Sequence, residues 1–302
     1  MNTPLAYLNG KLLPFADAAL PLHDAGFVSG ATVVDNARTF RHTLFRWPDH
    51  LARFRRDCAA CYVPLEATDE QLTAAAEELV AHNAKLLPPG GELQLVTFAT
   101  PGPLGFYLGD SANGPPTLGM VTYPLPFARY RRFFTDGVAL GVVGFQPAVP
   151  GAVVSPRTKH RSRMVWHVAE QTAKHADQSS GLVPILTDSP GGNLTETAFA
   201  NFFAVIDRVV VTPTADTVLD GISRRVTVEL CQSLGLPLRE CPVPVEHTPR
   251  MTEAVLAGTG FCIAGARSLN LVRFDWPGPV FRRLLAAWSD LVGVDVEKQF
   301  TA

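Results

Sequence analysis

The residue with most chemical promise is a lysine set among cations. In Ser155-Pro156-Arg157-Thr158-Lys159-His160-Arg161-Ser162-Arg163, Lys159 falls between an expected strand, Val138 to Phe145, and a helix expected from Ser162. A lysine that forms a Schiff base must be held still and partly desolvated, so that its amine is free at neutral pH. Neighbouring cations lower its pKa further. The same cations would also suit a solvated basic face or a phosphate-contacting patch, so Lys159 has to be weighed together with the motifs downstream.

Asn193-Leu194-Thr195-Glu196-Thr197-Ala198-Phe199-Ala200-Asn201 comes after a Gly-Gly turn and sets one carboxylate, Glu196, among apolar and small residues. Such a carboxylate suits the ring nitrogen of a pyridine cofactor, which it keeps protonated and electron-withdrawing. An exposed turn glutamate is the bland reading, and Asn201 reads as satisfying backbone. Leu219-Asp220-Gly221-Ile222-Ser223-Arg224 puts glycine and a hydroxyl at a helix start. Free N–H groups and the helix dipole there suit an anion. An ordinary helix capped by Asp220 or Ser223 has the same local pattern. Gly258-Thr259-Gly260 allows close backbone approach and offers a second hydroxyl, as would a plain turn. Arg53, early in a helix after Asp49, is a bidentate donor for a phosphate or one of a surface run with Arg55 and Arg56.

The elements that must position these residues are legible from periodicity and turn residues. Asn9-Gly10 marks a tight hairpin between Tyr7 and Leu12. Strands are expected at 32–40 and 43–46, helices at 49–62 and 69–86, and strands at 92–100 and 117–123. Proline, aromatics and arginines in 124–136 suggest a linker. Beyond it come the strand near Val138, the Lys159 loop and a helix over 162–176 with Val165, Val168, Ala169 and Thr172 on its apolar side. A strand at 183–186, a hairpin around Asp207, a helix at 222–234 and a last helix at 280–291 complete the pattern. The division is a domain over 1–123, the linker 124–136 and a larger domain over 137–302.

With 302 residues, 26 Lys and Arg against 28 Asp and Glu, and 47% apolar residues, the chain reads as a soluble globular protein with a large core. The charge balance argues against a nucleic-acid or membrane-surface binder. Met1 to Gly10 has no basic stretch followed by an apolar run, so no leader is expected, and no apolar run spans a bilayer. Five scattered cysteines suggest reduced thiols in a cytoplasm. Cys58 and Cys61 read as core thiols, and no metal site is expected.

The order and spacing of these motifs resemble the class IV aminotransferases, the fold type IV pyridoxal-phosphate enzymes. These include branched-chain and D-amino-acid aminotransferases, (R)-selective amine transaminases and aminodeoxychorismate lyase. The resemblance runs from the Asn9-Gly10 hairpin to the final helix. Its most specific parts are the Lys159 loop, Leu194-Thr195-Glu196 to Asn201-Phe202-Phe203, Thr212-Pro213 and Gly221-Ile222-Ser223-Arg224. It implies an α+β fold with a small N-terminal α/β domain, a larger C-terminal domain with a mostly antiparallel core, and pyridoxal 5'-phosphate in the cleft between them. By position it makes Lys159 the Schiff-base lysine and proton shuttle and Glu196 the ring-nitrogen partner. Arg53, Gly221, Ile222, Ser223 and Thr259 become the phosphate cradle. The partners it implies are an amino donor, a keto acid and a second subunit, whose N-terminal loop helps close the site.

Substrate choice departs from the family patterns. Many D-amino-acid aminotransferases and lyases carry an Arg-Gly segment where Thr100 to Tyr107 has no arginine, and Val34 to Arg38 lacks the Phe-Glu-Gly-Ile-Arg of branched-chain enzymes. Arg38, Arg161 and Arg163 are the candidates for a substrate carboxylate. Lys159-His160-Arg161 is similar to the lyase pattern, so formation of 4-aminobenzoate and pyruvate is the alternative reaction. A non-catalytic anion or nucleic-acid binder on the Arg157–Arg163 patch is the remote one, countered by the charge balance and the lack of interleaved aromatics.

Overall fold

A computed structural model describes residues 3–148, 151–176 and 181–302. Met1 and Asn2, part of the stretch read for a leader, lie outside them. The chain forms two compact units, Met1–Leu125 with Thr158–Ser162, and Pro126–Arg157 with Arg163–Ala302.

In the first unit, β1 (Leu5–Leu8) and β2 (Lys11–Pro14) form the expected hairpin. Asn9 and Gly10 both take positive φ, 47° and 86°, as a primed two-residue turn requires. The short helix α1 (Ala25–Val28) leads to β3 (Val33–Phe40) and β4 (Thr43–Leu44). Helices α2 (Trp47–Ala60) and α3 (Asp69–Ala84) precede β5 (Leu93–Thr100) and β6 (Thr117–Pro124). The strands make one antiparallel sheet in the order β2-β1-β6-β5-β3-β4. Residues 37, 95 and 120 pack with Trp47, Leu51, Leu72 and Leu79 in the core between sheet and helices. Each large side chain buried there contributes roughly 1.5–3 kcal/mol. Thr68 caps α3 in a reciprocal pair with Gln71.

Thr158–Ser162 joins this unit rather than the C-terminal one in which the sequence placed it. Val34 N–H donates to the Lys159 carbonyl at 3.0 Å and Arg161 N–H to the Thr32 carbonyl at 2.9 Å, with a bridge between Val33 and His160. The segment is thus stitched to β3 by backbone groups, which leave no trace in residue type.

The second unit opens on α4 (Phe127–Thr135), where a linker was expected. Tyr130 and Phe134 are buried. Phe134 stacks on Phe300 at 4.7 Å and Tyr130 lies 5.3 Å from Phe261, so the aromatics are core anchors. Next come β7 (Val138–Phe145), α5 (Met164–Ala176), β8 (Val183–Thr187), β9 (Leu194–Thr197), β10 (Asn201–Ile206) and β11 (Val209–Thr212). After these are α6 (Ile222–Ser233), β12 (Leu238–Glu240), β13 (Met251–Gly258), β14 (Cys262–Leu269), β15 (Val272–Arg273), α7 (Pro279–Val292) and α8 (Val296–Thr301). On α5 the buried side falls on Ala169 and Ala173, whereas Val165 and Val168 are exposed.

Its mostly antiparallel sheet runs β12-β11-β10-β13-β14-β7-β8-β9, with β15 on β14. The pairs β7–β8, β7–β14 and β11–β12 are parallel. Strand β9 pairs with both β8 and β10, and its contact with β10 is the residue pair Glu196–Asn201.

Candidate active site

In the first unit the functional side chains stand on α2 and β3. Residues 50, 53 and 57 share one face of α2 at helical spacing, beside the apolar stripe Leu51, Phe54 and Cys58. All three are buried, as is Asp35 on β3. Arg53 Nε and Nη2 donate to Asp35 Oδ2 and Oδ1 at 2.8 and 2.9 Å, and His50 Nδ1 lies 2.6 Å from Asp35 Oδ1. Burial raises the Asp35 carboxyl, but Arg53 and His50 outweigh it and hold the group far below the usual carboxylate range. Burial lowers the His50 pKa more than Asp35 raises it, so the ring is neutral at pH 7. It then donates from Nδ1 to Asp35.

Asp57 faces the Lys159 segment. Its Oδ2 accepts the Lys159 backbone N–H at 2.8 Å, while Oδ1 accepts Arg56 Nε and Nη2 at 3.0 and 2.8 Å. Burial pushes this carboxyl up, against the pull of that N–H and of Arg56. Lys159 itself is half-buried. Arg53 and Lys159, both expected at the site, are therefore joined through one face of α2. Asp35, His50 and Asp57 were not anticipated. The polar 50/53/57 stripe beside an apolar one was the available signal.

In the second unit the elements converge on the segment Leu219 to Ile222. Asn201 Nδ2 donates to Glu196 Oε2 at 3.0 Å and to the Leu219 carbonyl at 2.9 Å. Leu219 N–H adds a bond divided between both Glu196 oxygens, at 3.2 and 3.3 Å. Two residues on, Gly221 is the N-cap of α6, with no side-chain cap, so neither Asp220 nor Ser223 plays that part. A Cβ at Gly221 would lie 2.0 Å from Asn201 Oδ1, which explains the glycine. Asp220 instead anchors Arg225 at 2.9 and 2.7 Å and Arg157 at 3.1 Å. Asn201, read as a backbone partner, bonds a backbone carbonyl and also the carboxylate.

Thr259 is half-buried in the turn between β13 and β14. The flanking glycines answer to protein packing. A Cβ at Gly258 would be 2.8 Å from the Phe199 carbonyl, and one at Gly260 would be 2.9 Å from the Tyr130 hydroxyl.

The three arginines offered for a substrate carboxylate differ. Arg38 is buried, donates from Nε to the Thr39 carbonyl at 3.2 Å and lies 4.0 Å over the Phe40 ring. Arg161 is exposed in the first unit. Arg163 is exposed in the second, where it donates to the Ala198 carbonyl, two residues after Glu196. Burial pushes the Cys58 thiol up to about 12, in keeping with a core thiol. Among the described residues no His, Cys, Asp and Glu cluster could hold a metal, and no helix is long and apolar enough to cross a membrane.

A carboxylate held by two donors is thus tied through a short run of chain to a helix start without a side-chain cap. The amino-transferase class IV family model matches residues 32–269. The chain belongs to that family, and it is an aminotransferase. It is 26% identical over 276 residues to the methionine aminotransferase BCAT4 of Arabidopsis thaliana, covering 88% of this chain and 75% of that protein. The branched-chain amino acid aminotransferase of Escherichia coli superposes with a TM-score of 0.83 at 20% identity, over 96% of this chain and 95% of that one. A branched-chain amino acid aminotransferase from T.th., complexed with N-(5'-phosphopyridoxyl)-L-glutamate, gives a TM-score of 0.80 at 18% identity, over 96% and 95%. These likenesses favour amino-group transfer over the lyase reaction and leave the anion-binder reading without support.

Proposed function

We propose that the chain moves an amino group between an amino acid or amine and a 2-keto acid with pyridoxal 5'-phosphate, which Lys159 binds as a Schiff base. The observation that carries this reading is the tie between the Glu196 carboxylate and the start of α6 through Leu219 to Gly221. A cofactor with a basic ring nitrogen and an anionic tail needs both features at a set separation, so the residues present fit it. Family membership and the phosphopyridoxyl complex of the branched-chain relative support the choice.

Pyridoxal phosphate, when bound, supplies the electron sink for the charge left as the α-proton departs. Glu196 keeps the ring nitrogen protonated, held in place by Asn201 and Leu219. The N–H groups of Ile222 and Ser223 and the dipole of α6 take the phosphate, with Arg53 and Thr259 as further donors. Lys159 Nζ removes the proton and returns it. Arg163 is assigned to the substrate carboxylate, because its guanidinium reaches the turn that follows the Glu196 strand. Arg38 is already turned to Thr39 and Phe40.

A homodimer is part of the same proposal. Leu22, Phe27, Phe106 and Leu108 are 78%, 71%, 65% and 66% exposed. Their two loops are stitched by Ala25 N–H to the Gly102 carbonyl and Leu104 N–H to the His23 carbonyl. A second copy would cover this apolar surface. Five free cysteines agree with a cytoplasmic location.

Borohydride reduction of the holoenzyme followed by peptide mapping tests the reading. The cofactor should be fixed to Lys159, Lys159→Ala should abolish turnover, and Glu196→Gln should bind cofactor but lose most of its rate. Label on another lysine would reject the assignment.

A further inference from the structure

We propose that Asp57 is a positioning residue for Lys159: its carboxylate, presented by α2, holds the peptide group from which the reactive lysine projects. The proposal rests on the reading of Lys159 as the cofactor lysine.

The peptide groups on both sides of the Lys159 Cα are fixed from different elements. On the amino side, Asp57 Oδ2 accepts the Lys159 N–H at 2.8 Å, from a residue 102 positions earlier in the chain. On the carboxyl side, the Lys159 carbonyl accepts the Val34 N–H of β3 at 3.0 Å. With both groups held, the direction of the Cα–Cβ bond is set and only side-chain torsions remain. A flexible lysine that must meet one carbon and return a proton to it needs that restriction, since small misplacements are costly in rate.

Asp57 is itself immobilised. It is 1% exposed, and Arg56 occupies its other oxygen with two donors. One carboxylate therefore faces two ways, to a guanidinium and to a backbone amide. A charge-assisted bond of this kind is about twice as strong as a neutral one. Arg53 stands four residues earlier on the same face of α2, where it holds Asp35. The helix thus carries the proposed phosphate donor and the lysine clamp on one rigid surface. A carboxylate buried at this cost, with its pKa pushed up by burial, would be an expensive way to make a merely structural contact.

The test compares Asp57→Ala, which removes the acceptor, with Asp57→Asn, which keeps a neutral oxygen for the Lys159 N–H. Cys58→Ala, an adjacent buried position on the same helix, controls for loss of packing. Two readouts are used beside activity. Hydrogen exchange on the apoprotein follows the Lys159 amide, and a pH titration of the holoenzyme's visible band follows the Schiff-base proton. Asp57→Ala should exchange the Lys159 amide roughly ten- to a hundredfold faster, the worth of a hydrogen bond to a charged group. It should also shift the midpoint of the band. Asp57→Asn should restore most of both, and Cys58→Ala should move neither.

Wild-type exchange and titration in Asp57→Ala would overturn the proposal, as would equal shifts in Cys58→Ala. Borohydride mapping of the same holoenzyme separates the two layers. If the label lies elsewhere, the cofactor assignment fails and the positioning role fails with it, whereas label on Lys159 with an unmoved band removes the positioning role alone.

Discussion

Replacing Asp35 by asparagine should destabilise the protein through the charge it leaves behind. Asp35 and Arg53 are 2% and 3% exposed, and the carboxylate accepts two Arg53 donors as well as His50. The amide introduced by Asp35→Asn would keep one acceptor but turn donors toward donors, and the Arg53 cation would be left buried without its counter-ion. Removing one partner of such a pair costs about 3–5 kcal/mol. At about 2.1 cal/mol/K per residue a chain of 302 residues shifts by roughly 1.6 °C per kcal/mol, so the apoprotein melting midpoint should fall by roughly 5–8 °C. Thermal unfolding of apoprotein at pH 7 measures this without cofactor binding. The pH dependence has a definite sign. The folded-state pKa of Asp35 is depressed, so its contribution is fully present above the unfolded value near 4 and is lost as pH falls further. The gap between wild type and Asp35→Asn should thus hold from about pH 8 to about 5 and shrink in stronger acid. The triple variant Asp35→Leu, His50→Leu, Arg53→Met should recover much of the loss, because no charge is then stranded. A cost below about 1 kcal/mol for Asp35→Asn, or a triple variant no better than the single one, would refute the reasoning.

Two further outcomes are expected. His50 has a folded pKa below its unfolded value near 6.5, so folding stability should drop as pH falls below about 6.5 and the unfolded ring takes up a proton. Denaturation midpoints from about pH 7.5 to about 5 should show a shallower slope in His50→Gln, and identical slopes would exclude His50 as the source. Gly221→Ala would bring a methyl to 2.0 Å from Asn201 Oδ1 and force the residue that holds Glu196 to move. It should weaken cofactor affinity, read by dialysis and reconstitution, and destabilise by about 1–3 kcal/mol as an overpacked core site does. Unchanged affinity would detach Asn201 from the site.

Most elements were legible along the chain because their signals are local. Asn9-Gly10 could only be a primed turn between two strands, and the spacing of Ile222, Val226 and Leu230 marked α6 within a residue of its observed end. The 124–136 stretch, read as a linker from its prolines and arginines, holds the boundary between the two units and a helix that the reading did not include. That helix is anchored by the packing of Tyr130 and Phe134 on residues far along the chain, Phe261 and Phe300. Val165 and Val168 misled, since apolar spacing gives a helix a face but does not say that anything covers it.

The residues on which the proposed function rests, Lys159, Glu196 and the glycine before α6, were singled out from the sequence alone. Their side chains and their places at turns and helix starts are properties of short segments. What surrounds them was decided by tertiary structure. Asp57 finds the Lys159 amide, Val34 finds its carbonyl, and Asn201 and Leu219 together hold Glu196. Three of these four contacts involve a backbone N–H, which every residue but proline carries, so residue type cannot announce them. Only the path of the chain brings one particular amide to one particular oxygen.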